Sequence, residues 1–344
     1  MVNNSFNKSV LKSVSKLNSV HFLFYNSFMR VVILGKGLML ANLVLGAKDA
    51  GAEIVGVFRY EHTCENRFKL FFKDLFNPTP EVSLLNELKV NQIRLKSANS
   101  QAFRKLLISQ NVDLVLVGTW KERLKKEIFS VPTIGTVNAH PSLLPKYRGP
   151  NPYIQAILHG EKESGVTLHL VDEGYDTGAI LSQEKVSILE ADTSKELREK
   201  SVRVARKLVR EFITDLNDKM ITPIKQSEKH ASYFPNISGD ERMIDFTFQT
   251  SDEILRIVRA LHPFLPCYIT NKDKFLVIDP YSMQVLQEDI GDVKPGDVIF
   301  KYPERRSVTI VCKDGKAIRF SNLKLYNSEV VTELYIDREV ETIS

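Results

Sequence analysis

Cysteine is scarce: Cys64, Cys267 and Cys312 are the only three in 344 residues, odd in number and far apart. That excludes a disulfide framework and a paired-cysteine metal spacing, and it fits a reducing cytoplasm. No apolar run approaches the roughly 18 residues of a membrane span, so no membrane partner is expected. Internal repeats are absent. What remains, 43% hydrophobic and 26% charged residues, is the composition of a globular chain long enough for two domains.

Residues 1–28 contain no acidic residue and carry Lys8, Lys12 and Lys16 at helical spacing. They also lack the arginines of a transit peptide and a small-residue cleavage site. The segment reads as a disordered or upstream extension ahead of Met29, with organelle targeting as the alternative. Residues 30–35 read as a buried parallel strand entering a glycine turn. The turn Gly35-Lys36-Gly37 lacks the third glycine of a dinucleotide fingerprint, which would fall at Leu40, so that site is rejected. The two glycines serve a tight turn into a first helix over 38–50.

Further strands are expected at 53–58, 113–117, 136–140 and 165–170, with a helix starting near Asn151. The alternation of strand and helix implies an α/β fold, an open, doubly wound, mostly parallel sheet whose ligands bind beyond the strand C-termini. Thr193 and Glu196 form a capping box, and Leu197, Ser201, Val204, Leu208 and Phe212 share a helical face that closes an N-terminal domain over 29–218. Residues 219–237, polar and containing Pro223 and Pro235, read as a linker. A second capping box at Thr250 and Glu253 and short strands at 275–278, 297–300, 308–311 and 318–320 suit a small β-barrel over 238–330, followed by a tail over 331–344.

Chemistry concentrates in two segments, Val137 to Gly149 and Gly165 to Gly178. Asn138 and His140 are two apart on an expected strand, so both side chains leave one face and can converge on one small group. An amide donor beside an imidazole suits the oxygen of a carbonyl under attack, and the imidazole can also handle a proton. Asp176, in the glycine-punctuated loop after the 165–170 strand, would add a carboxylate. Pro141 and Pro145 stiffen the turn between them, and a rigid loop after a buried strand is where catalytic groups are held. His169 points opposite to Leu168 and Leu170; it either approaches this site or makes a structural hydrogen bond. His62, Cys64 and Glu65 cluster in sequence, but nothing completes a ligand set, so no metal is expected.

Through Asn-x-His-x-Ser-Leu-Leu-Pro-x-x-Arg-Gly over 138–149, the Gly165-Val-Thr strand and an Asp-x-Gly whose aspartate lies 36 residues beyond the histidine, the chain resembles the 10-formyltetrahydrofolate-dependent formyltransferases. The run Ile244-Asp-Phe, with the helix over 254–261 and Pro263, resembles the start of the C-terminal domain of methionyl-tRNA formyltransferases and of some sugar-nucleotide formyltransferases. The resemblance implies Asn138, His140 and Asp176 as the catalytic trio and Ser142, Leu143, Leu144 and Pro145 as a folate-contacting loop. It further implies 10-formyltetrahydrofolate as co-substrate and an OB-like second domain. Trp120 would be a wall of the folate pocket or a core residue. Arg148 would contact a ligand or cap its own loop.

The acceptor implied first is initiator methionyl-tRNA, bound by a monomer in the cytoplasm, with a nucleotide-linked amino sugar second and a non-catalytic folate- or RNA-binding regulator third. The sequence departs from the tRNA-acting pattern at 59–76, which has no glycine where a basic, glycine-rich loop is usual; Arg67, Lys69 and Lys73 there are candidate acceptor contacts or a solvated face around Phe68, Phe71 and Phe72. The Gly-x-x-x-Pro of the pterin loop is also altered, to Lys121-Glu-Arg-Leu-Lys125. Residues 1–28 carry +3, 29–230 carry +6, and 231–344, with 14 basic and 18 acidic residues, carry −4. An acidic second domain is a poor platform for phosphates.

Overall fold

The computed structural model describes residues 28–218, 221–238, 240–265, 267–271, 274–286, 291–302, 307–321 and 324–327. The expected extension over 1–28 and tail over 331–344 therefore lie outside the described residues, apart from Phe28.

The N-terminal part alternates strand and helix. β1 (Arg30–Gly35) leads into α1 (Gly37–Asp49) and β2 (Glu53–Arg59), followed by α2 (Arg67–Phe76), α3 (Pro80–Glu87), α4 (Gln101–Ser109) and β3 (Leu114–Gly118). β4 (Gly135–His140), α5 (Pro152–Leu158), β5 (Glu163–Leu170), β6 (Ile180–Ser187) and the long α6 (Ser194–Asp218) complete it. The strand order is β2-β1-β3-β4-β5-β6. The first four are mutually parallel, whereas β5 and β6 run antiparallel to their neighbours.

Period-two alternation explains why both faces are covered. Val31 and Ile33 of β1 join α1 and α6 in one core, while Val32 and Leu34 join Phe58 and Phe103 in the other. The fully apolar run of β1 is the signature of a strand buried on both sides. β6 was not anticipated, because it is an edge strand with mostly half-buried or exposed residues and no continuous apolar pattern.

Beyond the linker, α7 (Ser251–Leu261) begins with the expected capping box: the Glu253 N–H donates to Thr250 Oγ1 and the Thr250 N–H donates to Glu253 Oε2 at 2.8 Å. At α6 the box is partial, since Glu196 accepts from the Thr193 N–H while Thr193 Oγ1 accepts from Lys195 rather than Glu196. β7 (Tyr268–Asn271), β8 (Lys274–Val277), β9 (Met283–Val285), β10 (Val298–Tyr302), β11 (Ser307–Val311), β12 (Ala317–Phe320) and β13 (Lys324–Asn327) form two antiparallel sheets, ordered β10-β11-β12-β9 and β13-β8-β7. The small β domain is thus present, with β7, β9 and β13 beyond the strands read from sequence. Ile154 and Ile157 of α5 share a buried cluster with Ile254, Val258 and Leu261 of α7 and with Ile318 and Phe320. A continuous apolar core therefore seats the second domain on the first. Among the described residues no helix is long and apolar enough to cross a membrane.

Candidate active site

β4 delivers Asn138 and His140 to one face at its C-terminal end, and its antiparallel pairing with β5 sets Asn138 directly opposite His169. Asp176 comes from the loop joining β5 to β6 and adopts the left-handed conformation, φ 55°. The four side chains meet. Asn138 Nδ2 lies 3.1 Å from His169 Nε2 and 3.4 Å from Asp176 Oδ1, and His140 Nδ1 lies 3.5 Å from that same oxygen.

Proton positions follow from fixed acceptors. His140 Nε2 is 2.8 Å from the carbonyl of Tyr147, which can only accept, so Nε2 carries the hydrogen and Nδ1 faces Asp176. His169 Nδ1 likewise donates to the Leu170 carbonyl at 2.8 Å, leaving Nε2 to accept from Asn138. Burial pushes the His140 imidazole below its ordinary value, although Asp176 and the Tyr147 carbonyl act in the opposite sense. Burial also works against charge on Asp176. His140 and His169, which are protonated in the acid range where Asp176 titrates, together with the Gly149 N–H, 2.9 Å from Oδ2, outweigh it and hold the carboxyl well below the usual carboxylate range. Near neutral pH the site therefore pairs a carboxylate with a neutral imidazole whose free nitrogen faces it.

This constellation opens into a cleft of about 640 Å³, within the usual range for small-molecule sites. Thr119, Trp120, Lys121 and Pro141 line it from the ends of β3 and β4, and Tyr233, Asn236, Arg242 and Leu265 line it from the linker and the second domain. Trp120 meets Phe58 and Tyr60 edge-on at 5.1 and 5.4 Å, and its buried indole N–H faces no acceptor. A heteroaromatic ligand offering an acceptor fits that wall.

Three expected contacts are placed differently. Ser142 to Pro145 do not line the cleft. Ser142 is fully buried and its hydroxyl donates to the Lys146 carbonyl, the Leu144 N–H donates to Thr167 Oγ1, and Gln183 donates to the Leu144 carbonyl. The run is a bracket behind the cleft, held by β5 and β6. Arg148 is buried and its guanidinium is spent on Gln226 and Glu228, which makes it a tie to the linker rather than a ligand contact. Arg67, Lys69 and Lys73 lie on α2, which contributes nothing to the described cleft wall. Arg67 donates to the Arg94 carbonyl, Lys73 sits 3.7 Å from Glu65, and Phe68, Phe71, Phe72, Leu75 and Phe76 are exposed. The 59–76 segment is thus a short helical turn followed by a helix anchored through Arg59 and Asp74 at 2.6 Å.

Two participants escaped the sequence reading. The Tyr147 carbonyl is aimed by a left-handed backbone, φ 60°, with its ring stacked on Phe234. Gln226 is buried among the loops of the site. The first has no side-chain signature and the second sat in a segment read as linker. His62 is close to Gln92, and among the described residues no group of three or more His, Cys, Asp or Glu is gathered to hold a metal.

Comparison with known proteins identifies the family. The Formyl transferase family matches residues 29–213, and the Formyl transferase C-terminal domain family matches residues 236–333. The chain is 27% identical over 304 residues to a methionyl-tRNA formyltransferase of Kosmotoga olearia, covering 88% of this chain and 94% of that one. It is 30% identical over 271 residues to a methionyl-tRNA formyltransferase of Caldanaerobacter subterraneus subsp. tengcongensis, covering 79% and 85%. Its fold also resembles the N-formyltransferase of Helicobacter canadensis solved with folinic acid and dTDP-3-aminofucose, with a TM-score of 0.60 at 20% identity over 86% of this chain and 99% of that chain.

Proposed function

The chain belongs to the formyl transferase family, and on that premise we propose that it transfers a formyl group from 10-formyltetrahydrofolate to the amino group of initiator methionyl-tRNA, in the cytoplasm. The observation that carries the chemistry is the convergence of Asn138, His140 and Asp176 at the floor of one cleft. The acceptor assignment is supported by the two-domain layout and by the relatives that share it over most of their length.

The residues divide the work. The acceptor amine attacks the formyl carbon, and its proton passes to His140 Nδ1, where the adjacent Asp176 carboxylate stabilises the imidazolium that forms; the tetrahedral adduct then collapses by breaking the bond from the formyl carbon to N10 of the folate, which takes that proton as tetrahydrofolate leaves. His140 Nε2 is occupied by Tyr147, so the charge developing on the formyl oxygen falls to Asn138, not to both residues as the sequence suggested. The weaker 3.4 Å contact of Asn138 Nδ2 with Asp176 is the one that oxygen would take over. A donor placed in this way contributes about 10² to 10³ in rate. Trp120 and Lys121 would hold the folate, and the wall formed by Tyr233, Asn236 and Arg242 would hold the acceptor.

A nucleotide-linked amino sugar is the second reading. It is favoured by the 59–76 segment, whose helix is pinned by Arg59 to Asp74 in place of a basic glycine-rich loop. Incubating the purified chain with 10-formyltetrahydrofolate and either charged initiator tRNA or amino-sugar nucleotides separates the two readings, and turnover of neither would leave a non-catalytic folate- or RNA-binding protein.

Salt provides a sharper test. With tRNA as acceptor, KM should rise between low and physiological salt with a log–log slope of several units. A shallow slope would point to the sugar nucleotide. For the pH dependence, the lowered His140 pKa means that the neutral base persists below the ordinary imidazole value of 6.5. Accordingly kcat should stay level down to that value and fall about tenfold per unit only in more acid solution. An acidic break at or above pH 7 would contradict His140 as the base.

A further inference from the structure

The linker does more than join two domains. Residue 224 pairs with residue 180 through both backbone hydrogen bonds at 2.8 Å, and the Arg148 N–H and carbonyl bond Ser232 and Phe234. Between these two seams lies Gln226, only 4% exposed. Its Oε1 accepts from Arg148 Nε at 3.1 Å and Nη2 at 2.9 Å, while its Nε2 donates to the carbonyls of Asp176 at 2.8 Å and Gly178 at 2.7 Å. The orientation is unambiguous, because a guanidinium can only donate and a carbonyl can only accept. Glu228 holds the far side of Arg148 at 2.9 and 3.0 Å.

We propose that Gln226 is a positioning residue for the transfer reaction: its carboxamide, aimed by Arg148, draws the carbonyls of Asp176 and Gly178 together and so turns the Asp176 carboxylate toward Asn138, His140 and Gly149. The proposal rests on the formyl-transfer reading for its consequence in rate. Its physical basis is independent. Asp176 is a non-glycine residue in the left-handed region, a conformation unfavourable for a residue with a Cβ that persists where the surroundings over-determine it. Two bonds from one buried amide to the carbonyls of residues 176 and 178 supply that constraint, and losing them would leave both carbonyls without this donor. The same bonds make the catalytic loop sense the seating of the linker, and hence of the second domain.

Gln226→Glu is the discriminating change. Its carboxylate keeps the shape and the partnership with Arg148, so the linker stays attached, but it offers an acceptor to two carbonyls and expels the loop. Gln226→Ala removes both sets of bonds. In the full-length chain, Gln226→Glu is expected to lower kcat at least about tenfold with KM for folate and acceptor changed less than about twofold, since the lost interaction serves the transition state. Amide hydrogen exchange read by mass spectrometry should quicken at least about tenfold across 172–180 while the central strands keep their protection. Normal loop protection in Gln226→Glu, faster exchange without loss of kcat, or an effect confined to KM would each overturn the proposal. A wild-type chain that transfers no formyl group would sink the functional reading instead, and the exchange measurement would still decide whether Gln226 holds the loop.

Discussion

Replacing Asp176 by Asn is expected to cut formyl transfer at least about a hundredfold while leaving the fold intact, and His140→Ala and Asn138→Asp should do the same. Asparagine preserves the shape at residue 176 and tolerates its left-handed backbone, so the change isolates the charge. Without the carboxylate, a proton accepted at His140 Nδ1 has no anionic partner 3.5 Å away in a buried site where an unpaired charge is expensive. Asn138→Asp places a second carboxylate within reach of Asp176 Oδ1 and removes the donor facing His169. Steady-state kinetics with circular dichroism of each variant provides the check. A variant that turns over nearly normally removes its residue from the mechanism.

Gly149→Ala is expected to cost both stability and rate. The backbone there has φ 111°, and a Cβ would stand 2.2 Å from the Phe234 carbonyl oxygen, a backbone atom of the linker that cannot step aside alone. Strain of this kind costs on the order of 1–3 kcal/mol, and relieving it means separating residue 149 from the linker seam. The Gly149 N–H that holds Asp176 Oδ2 at 2.9 Å moves with it. Thermal unfolding should show a lowered midpoint, and kcat should fall at least about a hundredfold, as expected when a catalytic group is displaced by around 1 Å. A stable variant with unchanged kcat would mean that this N–H contributes nothing to the carboxylate.

Local signals carried a large part of the fold. The apolar run of β1, the glycine turn into α1 and the capping box at Thr250 each act over a few residues, so they can be read in order along the chain. The edge strand β6 and the short strands β7 and β9 could not be, because a strand paired on one side, or short and half-exposed, imprints no continuous apolar pattern. Helix α2 lay within a stretch read only for its charges and phenylalanines; what fixes it is Arg59 reaching Asp74, a contact between residues 15 apart.

The same division runs through the site. The sequence by itself determined that Asn138 and His140 share a face, since their spacing matches the two-residue period of a strand, and its motifs marked Asp176 as the carboxylate to go with them. Only the tertiary structure decided which atoms act. The Tyr147 carbonyl claims His140 Nε2, and the β4–β5 register sets His169 against Asn138. Arg148 turns inward to Gln226 instead of out to a ligand, and the Ser142 to Pro145 run lies behind the cleft. The physical reason is that a hydrogen bond depends on where its partner stands in space: Gln226 is 50 residues from Asp176 and 78 from Arg148 along the chain, and no periodicity or local propensity records a contact over such a separation.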